Sequence, residues 1–139
     1  MWKLILIFSL FLFSYNSIAE EAEMPEFASK PIKYANKNWI RNSVQQKVWI
    51  KDEMFVGDFM NERMKFWVYM TGPNYHPCSI SGVAVKQSKS TYEFKEDSCT
   101  LTIKFSKNKV SLSDPGNTCF EGHCNNEYFD KAEFFKVKN

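Results

Sequence analysis

MKFWVYM, residues 64–70, is the stretch that decides the fold, because its side chains alternate with a period of two. In an extended strand, one face of this stretch is wholly apolar and carries Met64, Phe66, Val68 and Met70. The opposite face carries Lys65, Trp67 and Tyr69. Turn-forming residues follow at 71–74 (TGPN). The stretch therefore predicts a β-strand with one buried face.

Similar runs lie on both sides of this stretch and are joined by short connections, which indicate antiparallel pairing. A glycine at position 57 suggests a bulge. The predicted fold is mainly β, an antiparallel meander that forms a small barrel or sandwich. We expect about seven strands, at 54–60, 64–70, 78–86, 91–96, 99–105, 110–112 and 126–137.

The segment 39–50 is ambiguous by the same criteria. Ile40, Val44 and Val48 recur at four-residue spacing, which favours one face of a helix. Residues 46–51 (QKVWIK) fit a strand as well. We interpret the segment as a short N-terminal helix that runs into a strand.

Residues 1–19 have the three parts of a secretory signal peptide. Lys3 is basic, residues 4–13 (LILIFSLFLF) are almost all apolar, and Ser17-Ile18-Ala19 places small residues before a cut. The apolar run is shorter than the roughly 20 residues that span a bilayer. We predict cleavage near Ala19 and a periplasmic or secreted protein with no membrane span. The rest divides into a flexible N-terminal segment, 20–38, and a single β domain, 39–139.

Charge and motifs narrow the function classes. The 139 residues carry 18 Lys and Arg against 16 Asp and Glu, and a formal charge of +2 gives no electrostatic case for a nucleic-acid partner. The chain has no Gly-x-Ser-x-Gly elbow, no His-Glu-x-x-His motif and no phosphate-binding glycine loop. We therefore expect a protein that is not an enzyme, with no catalytic residues and no cofactor.

The four cysteines are expected to form two disulfides, because the signal peptide implies an oxidising compartment. The strand order places Cys78 and Cys99 at two strand starts at one pole of the sheet, with Cys119 and Cys124 in the loop beyond. Cys78 and Cys99 would lie about 9–10 Å apart, more than the roughly 7 Å between Cα atoms that a disulfide allows. We prefer Cys99–Cys119 with Cys78–Cys124; the crossed pairing and a local Cys119–Cys124 bond are the alternatives.

A zinc site is the alternative to two disulfides, because thiols and imidazoles, which zinc prefers as ligands, come together at this pole. The candidate ligands are His76, Cys78, Cys99, Cys119, His123 and Cys124. The spacing of Cys119 and Cys124 is wider than that of a zinc knuckle, and the compartment favours oxidation. We therefore expect disulfides and no metal.

Two groups of residues are candidates for binding a protein partner. Trp67 and Tyr69 lie opposite the predicted core, and aromatic side chains are enriched at contact hot spots. The alternative is that residues 20–50 cover them, with Trp39 and Trp49 packing onto the two rings. The second group lies in the loop 113–128, because loops on rigid scaffolds often carry recognition, although a structural cap is its alternative. The candidate contact residues of that loop are Asp114, Asn117, Phe120, Glu121 and His123.

The C-terminal half resembles a family in the order of its motifs. They are His76-x-Cys78-x-Ile80-x-Gly82-x-Ala84, Cys99-x-Leu101-x-Ile103-x-Phe105, Asp114-Pro115-Gly116, Cys119 and Cys124. This order resembles small secreted, disulfide-bonded β proteins of Gram-negative bacteria. In size, compartment and barrel character the chain is also similar to the periplasmic lysozyme inhibitors, whose inhibitory loop carries Ser-Gly with a Tyr three residues after the Ser. Here Ser81-Gly82 is followed by Val-Ala-Val, so the resemblance is architectural and identifies no inhibitory residues.

The resemblance and the lack of catalytic motifs lead to one functional expectation and two alternatives. We expect a non-catalytic periplasmic binding protein, an inhibitor or immunity protein that occludes a cell-wall-directed hydrolase of the lysozyme or peptidoglycan amidase kind. The first alternative is an envelope adaptor or a small apolar ligand-binding β-barrel module. The second is a small secreted carboxylate-dependent hydrolase, which needs two acids about 5–10 Å apart in a cleft.

Overall fold

The chain folds into a closed antiparallel barrel of eight strands, in a computed structural model that describes residues 23–72, 75, 77–119 and 129–138. Each strand pairs with the next along the chain, and the last closes the barrel on the first. The expected antiparallel meander is confirmed, and it forms a barrel. The strands are β1 (Ile32–Arg41), β2 (Lys47–Met60), β3 (Arg63–Thr71), β4 (Pro77–Ser88), β5 (Thr91–Glu96), β6 (Cys99–Phe105), β7 (Lys109–Ser113) and β8 (Glu133–Lys136).

Alternating side chains in β3 and β6 build the core, as the sequence indicates. Met64 and Phe66 of β3 are fully buried, as are Leu101 and Ile103 of β6. Inside the barrel, the rings of Phe66 and Phe94 pack edge to face with centroids 5.2 Å apart. The interior of an eight-stranded barrel is just wide enough for side chains to fill. In this barrel the buried side chains of the described strands form one packed core.

Gly82 in β4 is required by this packing. A Cβ at position 82 would lie 2.3 Å from Cε2 of Phe94, whose ring is held in turn against Phe66. Gly82→Ala is expected to lower the free energy of unfolding by about 1–3 kcal/mol, as overpacking of a core does. Urea unfolding measures the change. The control is Val83→Thr on the exposed face, expected to shift stability by less than about 0.5 kcal/mol; an equally small effect of Gly82→Ala would contradict the packing argument.

The segment 39–50 forms no helix, which corrects the sequence interpretation. It contains the end of β1, a turn and the start of β2. Ile40 lies directly opposite Val48, so their spacing reflects the register of a hairpin. In the turn, the Asn42 amide donates to the Gln46 carbonyl at 3.0 Å, and Val44 is exposed. Tryptophan and β-branched residues on both strands favour this extended pairing.

The boundary expected between residues 38 and 39 is also wrong. Strand β1 begins at Ile32 and pairs with both β2 and β8, so residues 32–38 belong to the barrel. The residues just before β1 are bound to β2, because the Ala28 amide donates to the Asp58 carboxylate at 2.9 Å. This hydrogen bond lowers the pKa of Asp58. The predicted signal peptide, 1–19, and residues 20–22 lie outside the described residues.

The barrel has two different ends, because connections in an antiparallel meander alternate between them. One end holds the β3–β4, β5–β6 and β7–β8 connections together with the end of β1 and the start of β2. We call it the disulfide pole. The other end holds the β2–β3, β4–β5 and β6–β7 connections, and we call it the mouth.

Candidate functional site

The predicted disulfide Cys99–Cys119 is present at the disulfide pole, with Cα atoms 4.3 Å apart. It ties the start of β6 to the loop that follows β7. Cys78, the second residue of β4, is also disulfide-bonded. Its predicted partner, Cys124, lies outside the described residues. The prediction that Cys99 pairs with the loop, and not with Cys78, is confirmed.

Asp114 holds this loop together from inside. Its Oδ1 accepts hydrogen bonds from the amide and the hydroxyl of Thr118, both at 2.7 Å, and its Oδ2 accepts one from the Cys119 amide at 3.0 Å. Only 1% of Asp114 is exposed. The sequence predicted that Asp114 contacts a partner. In the structure its carboxylate is buried and positions the disulfide instead, because three donors of the loop converge on it.

The remaining loop candidates differ in what the structure describes. Asn117 is half-buried in a turn, where its amide donates to the Asp114 carbonyl at 2.9 Å, and its contact role stays a prediction. Three further candidate contact residues lie outside the described residues: Phe120, Glu121 and His123. The zinc alternative also draws on residues outside that range, namely His76, His123 and Cys124.

Trp67 and Tyr69 lie on the outer face of β3, as predicted, and both are half-buried. Their rings stack with centroids 5.5 Å apart, and the Trp67 ring also meets Phe55 of β2 at 5.8 Å. Trp39 and Trp49, which the alternative would pack onto them, stack on each other with centroids 3.6 Å apart. The outer face therefore carries two separate aromatic groups.

The main feature that sequence reasoning missed is a two-stranded arm, residues 37–51. Beyond Ala35 and Glu53, β1 and β2 pair only with each other within the described ranges. The arm continues these strands past the rest of the sheet at the disulfide pole. A mirrored pattern marks it in the sequence, since KNWIR (37–41) pairs with KVWIK (47–51). The helix-like spacing of its apolar residues concealed this signal.

The outer face of the arm presents an aromatic pair between two cationic pairs. The cross-strand pairs are Lys37–Lys51, Trp39–Trp49 and Arg41–Lys47. The tryptophans remain 41% and 56% exposed in spite of their stacking. The Nζ of Lys47 lies 4.7 Å from the centroid of the Trp39 ring, within the range of a cation–π interaction. On the opposite face Ile40 is buried, so the arm has a protein-facing and a solvent-facing side.

The positive charge of the arm is not neutralised within the arm. Residues 37–51 include four cations and no Asp or Glu. Like charges placed directly opposite each other destabilise a sheet, and this arm has two such pairs. Lys51 forms an ion pair with Glu53 at 3.6 Å, but Glu53 is shared with Lys33. An anionic surface that docked here would relieve this repulsion.

Asp52 anchors the base of the arm to β3. Its side chain is 1% exposed, and its Oδ1 accepts a hydrogen bond from the Thr71 amide at 3.0 Å. The Asn38 side chain also bonds to this carboxylate. Burial raises the pKa of Asp52, and these two hydrogen bonds oppose the rise without cancelling it. The buried carboxyl therefore links the arm to the barrel at an electrostatic cost.

This anchor predicts a specific pH dependence. A raised folded-state pKa means that the stabilising contribution of Asp52 is lost as the pH rises through that pKa. The stability of Asp52→Asn relative to the wild type is therefore expected to increase from about pH 4 to about pH 7. Asp52→Ala leaves the Thr71 amide without its acceptor and should cost about 1–3 kcal/mol at neutral pH. Urea unfolding across this range measures both effects, and an advantage of Asp52→Asn that shrank with rising pH would contradict the account.

Comparisons with protein-family models, with curated proteins and with solved structures each found no match to this chain. None of the described residues belongs to a helix that is long and apolar enough to cross a membrane. The proposed function is argued from three features of the described residues, namely the arm, the Trp67–Tyr69 stack and the disulfide-braced loop.

Proposed function

We propose that this protein is a non-catalytic binding protein of the cell envelope, an inhibitor or immunity protein that occludes the cleft of a cell-wall-directed hydrolase. The observation that carries the proposal is the outer face of the arm, with its exposed Trp39–Trp49 pair between two cationic pairs, in a segment that contains no Asp or Glu of its own. Trp and Arg are among the residues that dominate binding energy at protein interfaces. Cross-strand pairing and ring stacking hold the two tryptophans in place, so little conformational entropy is lost on binding.

The charge of the arm favours a glycosidase as the target. Lysozyme-like enzymes hold a pair of carboxylates across the bond that they cleave. The four cations of the arm complement such a cleft, and charge complementarity raises the association rate and selects the partner. Between the two hydrolase classes, we therefore place muramidases ahead of peptidoglycan amidases.

The surface next to the arm extends the proposed interface. Glu53, which follows the arm on β2, lies opposite Tyr69 on β3, so the aromatic stack of Trp67 and Tyr69 adjoins the base of the arm on the same outer face. The braced loop with Asn117 lies at the same pole. In this proposal the arm supplies the central contacts, and the stack and the loop supply the rim.

The proposed compartment is the periplasm or the exterior, after removal of residues 1–19. The disulfide Cys99–Cys119 and the bonded state of Cys78 support this location, because disulfides persist in oxidising compartments. The substrates of cell-wall hydrolases lie in the same compartment. Location and target class are therefore consistent with each other.

Turnover assays with purified protein against a panel of muramidases and peptidoglycan amidases test the proposal. We expect concentration-dependent inhibition of at least one muramidase. The double variant Lys37→Glu with Lys51→Glu should weaken that inhibition by at least about tenfold, since like charges juxtaposed at an interface cost several kcal/mol. The matched control reverses two exposed lysines on other strands, Lys86→Glu with Lys104→Glu, and should leave inhibition near the wild-type level. No inhibition across the panel would refute the proposal.

A ligand-binding barrel remains the second candidate, and one observation bears on it. Among the described residues, core side chains such as Phe66 and Phe94 pack against each other inside the barrel, which counts against a ligand in the lumen. A cavity is present instead at the mouth, where its lining is aromatic.

A further inference from the structure

A cavity of about 450 Å³ opens at the mouth, the end of the barrel away from the arm. Its volume falls within the range of roughly 300–1,000 Å³ that small-molecule sites occupy. Lys89 and Ser90 line it together with four aromatic side chains from four different strands. The aromatic residues are Tyr34, Phe59, Tyr92 and Phe105. No Asp or Glu is among the lining residues in the described part of the chain.

Three of these rings form a continuous wall. The centroid of Phe105 lies 6.1 Å from that of Tyr34 and 5.8 Å from that of Tyr92. Tyr92 and Phe105 are half-buried, each sharing its strand face with core residues such as Phe94 and Ile103. The packed core below closes the cavity, so a ligand would rest on the rings at the mouth.

The fourth ring is placed by an irregularity in β2. The pairing of β2 with β3 shifts register between Gly57 and Met60, and Asp58 has a positive φ of 51°. Bulges of this kind re-aim side chains at barrel rims. Here the bulge brings Phe59 to 6.1 Å from Tyr92 of β5, in an edge-on contact, while Phe59 stays 50% exposed. A strained backbone therefore holds a half-exposed aromatic ring over the cavity.

We propose that the mouth binds a small molecule that carries a flat ring and an anionic group. The flat ring is favoured because four aromatic side chains converge where a stacked or edge-on ring fits. The anionic group is favoured because Lys89 is the charged residue of the lining, and Ser90 adds a hydroxyl beside it. This site is separate from the proposed hydrolase interface, which lies at the opposite end of the barrel.

Titration calorimetry and ¹H NMR with matched probes test this site on the purified protein. The probes are naphthalene-2-sulfonate, which is anionic, and 2-naphthylmethylamine, which has the same ring and a positive charge. We expect the sulfonate to bind and to shift the ring resonances of Tyr92 and Phe105, and the amine to bind at least tenfold more weakly. Absence of sulfonate binding at millimolar concentration, or equal binding of both probes, would overturn the proposal.

Two variants separate the ring contact from the charge contact. Phe59→Ala should weaken sulfonate binding at least fivefold, whereas Phe135→Ala, an equally exposed phenylalanine of β8, should leave it unchanged. Lys89→Gln should reduce the preference for the sulfonate over the amine. A loss of the same size in Phe59→Ala and Phe135→Ala would show nonspecific adsorption and overturn the proposal. Hydrolase inhibition by Phe59→Ala should equal that of the wild type, so the two proposals fail independently.

Discussion

Alanine at both Trp39 and Trp49 is expected to weaken binding to a susceptible muramidase by about 100-fold or more. Each ring is half-exposed and preorganised by stacking on the other, which is the state in which an interfacial tryptophan contributes most. Hot-spot truncations cost at least about 2 kcal/mol each, and every 1.4 kcal/mol corresponds to a tenfold change in affinity. Surface plasmon resonance against the immobilised enzyme measures the loss.

The control for this prediction is the second aromatic group on the same outer face. Tyr69→Ala removes a ring from the rim and should weaken binding by less than about tenfold, because rim contacts contribute little energy. Far-UV circular dichroism and the melting temperature of each variant show whether the barrel is retained. A Trp39/Trp49 variant that stayed folded and bound like the wild type would remove the arm from the interface.

Removal of the Cys99–Cys119 disulfide is expected to lower the free energy of unfolding by about 2–5 kcal/mol. The bond joins residues separated by 20 positions, and loop closure of this length in the unfolded chain corresponds to about 3 kcal/mol. It also fixes the loop whose amides and hydroxyl converge on buried Asp114. Urea unfolding of the double variant Cys99→Ala with Cys119→Ala measures the change.

The control for the disulfide is a variant that weakens the same loop without breaking the bond. Thr118→Val removes the hydroxyl that donates to Asp114 and that accepts from the Thr100 amide. We expect it to cost about 1–3 kcal/mol, as the loss of a partner for part-buried polar groups does. If the double cysteine variant were no less stable than Thr118→Val, the bond would not be the main brace of the pole.

The parts of the fold that the sequence predicted are those in which local pattern and tertiary packing agree. Residues 64–70 alternate strictly, and Met64 and Phe66 are buried as the alternation requires. The order of short antiparallel strands placed Cys99 and the loop with Cys119 at one pole, where their disulfide is found, although it left the crossed pairing open. The period of two fixed which residues of each strand face the core, and with it the strand order from which the pole was inferred.

The arm could not be predicted in the same way, because its pattern admits two interpretations. Ile40, Val44 and Val48 have the spacing of a helical face, yet Ile40 and Val48 are partners across a hairpin and Val44 lies in its exposed turn. The turn lacks glycine and proline, and Gln45 adopts the positive φ of 62° that glycine usually supplies. Without that turn signal, helix and hairpin fit the apolar residues equally well.

Two further features depend on contacts between distant parts of the chain. Asp114 is a polar residue in a turn, and its burial results from donors that the folded loop brings to it. Phe59 lies at the mouth because a bulge breaks the alternation of β2. The sequence suggested a bulge at Gly57 but could not indicate which ring it would redirect.

The mode of inhibition of a susceptible muramidase tests the occlusion mechanism most directly. Initial rates are measured with a soluble chitooligosaccharide substrate at several concentrations of the purified protein. Occlusion of the cleft by the arm predicts competitive inhibition, in which KM rises with inhibitor concentration and kcat is unchanged. Inhibition that lowered kcat and left KM unchanged would place the bound protein away from the substrate and would contradict the account.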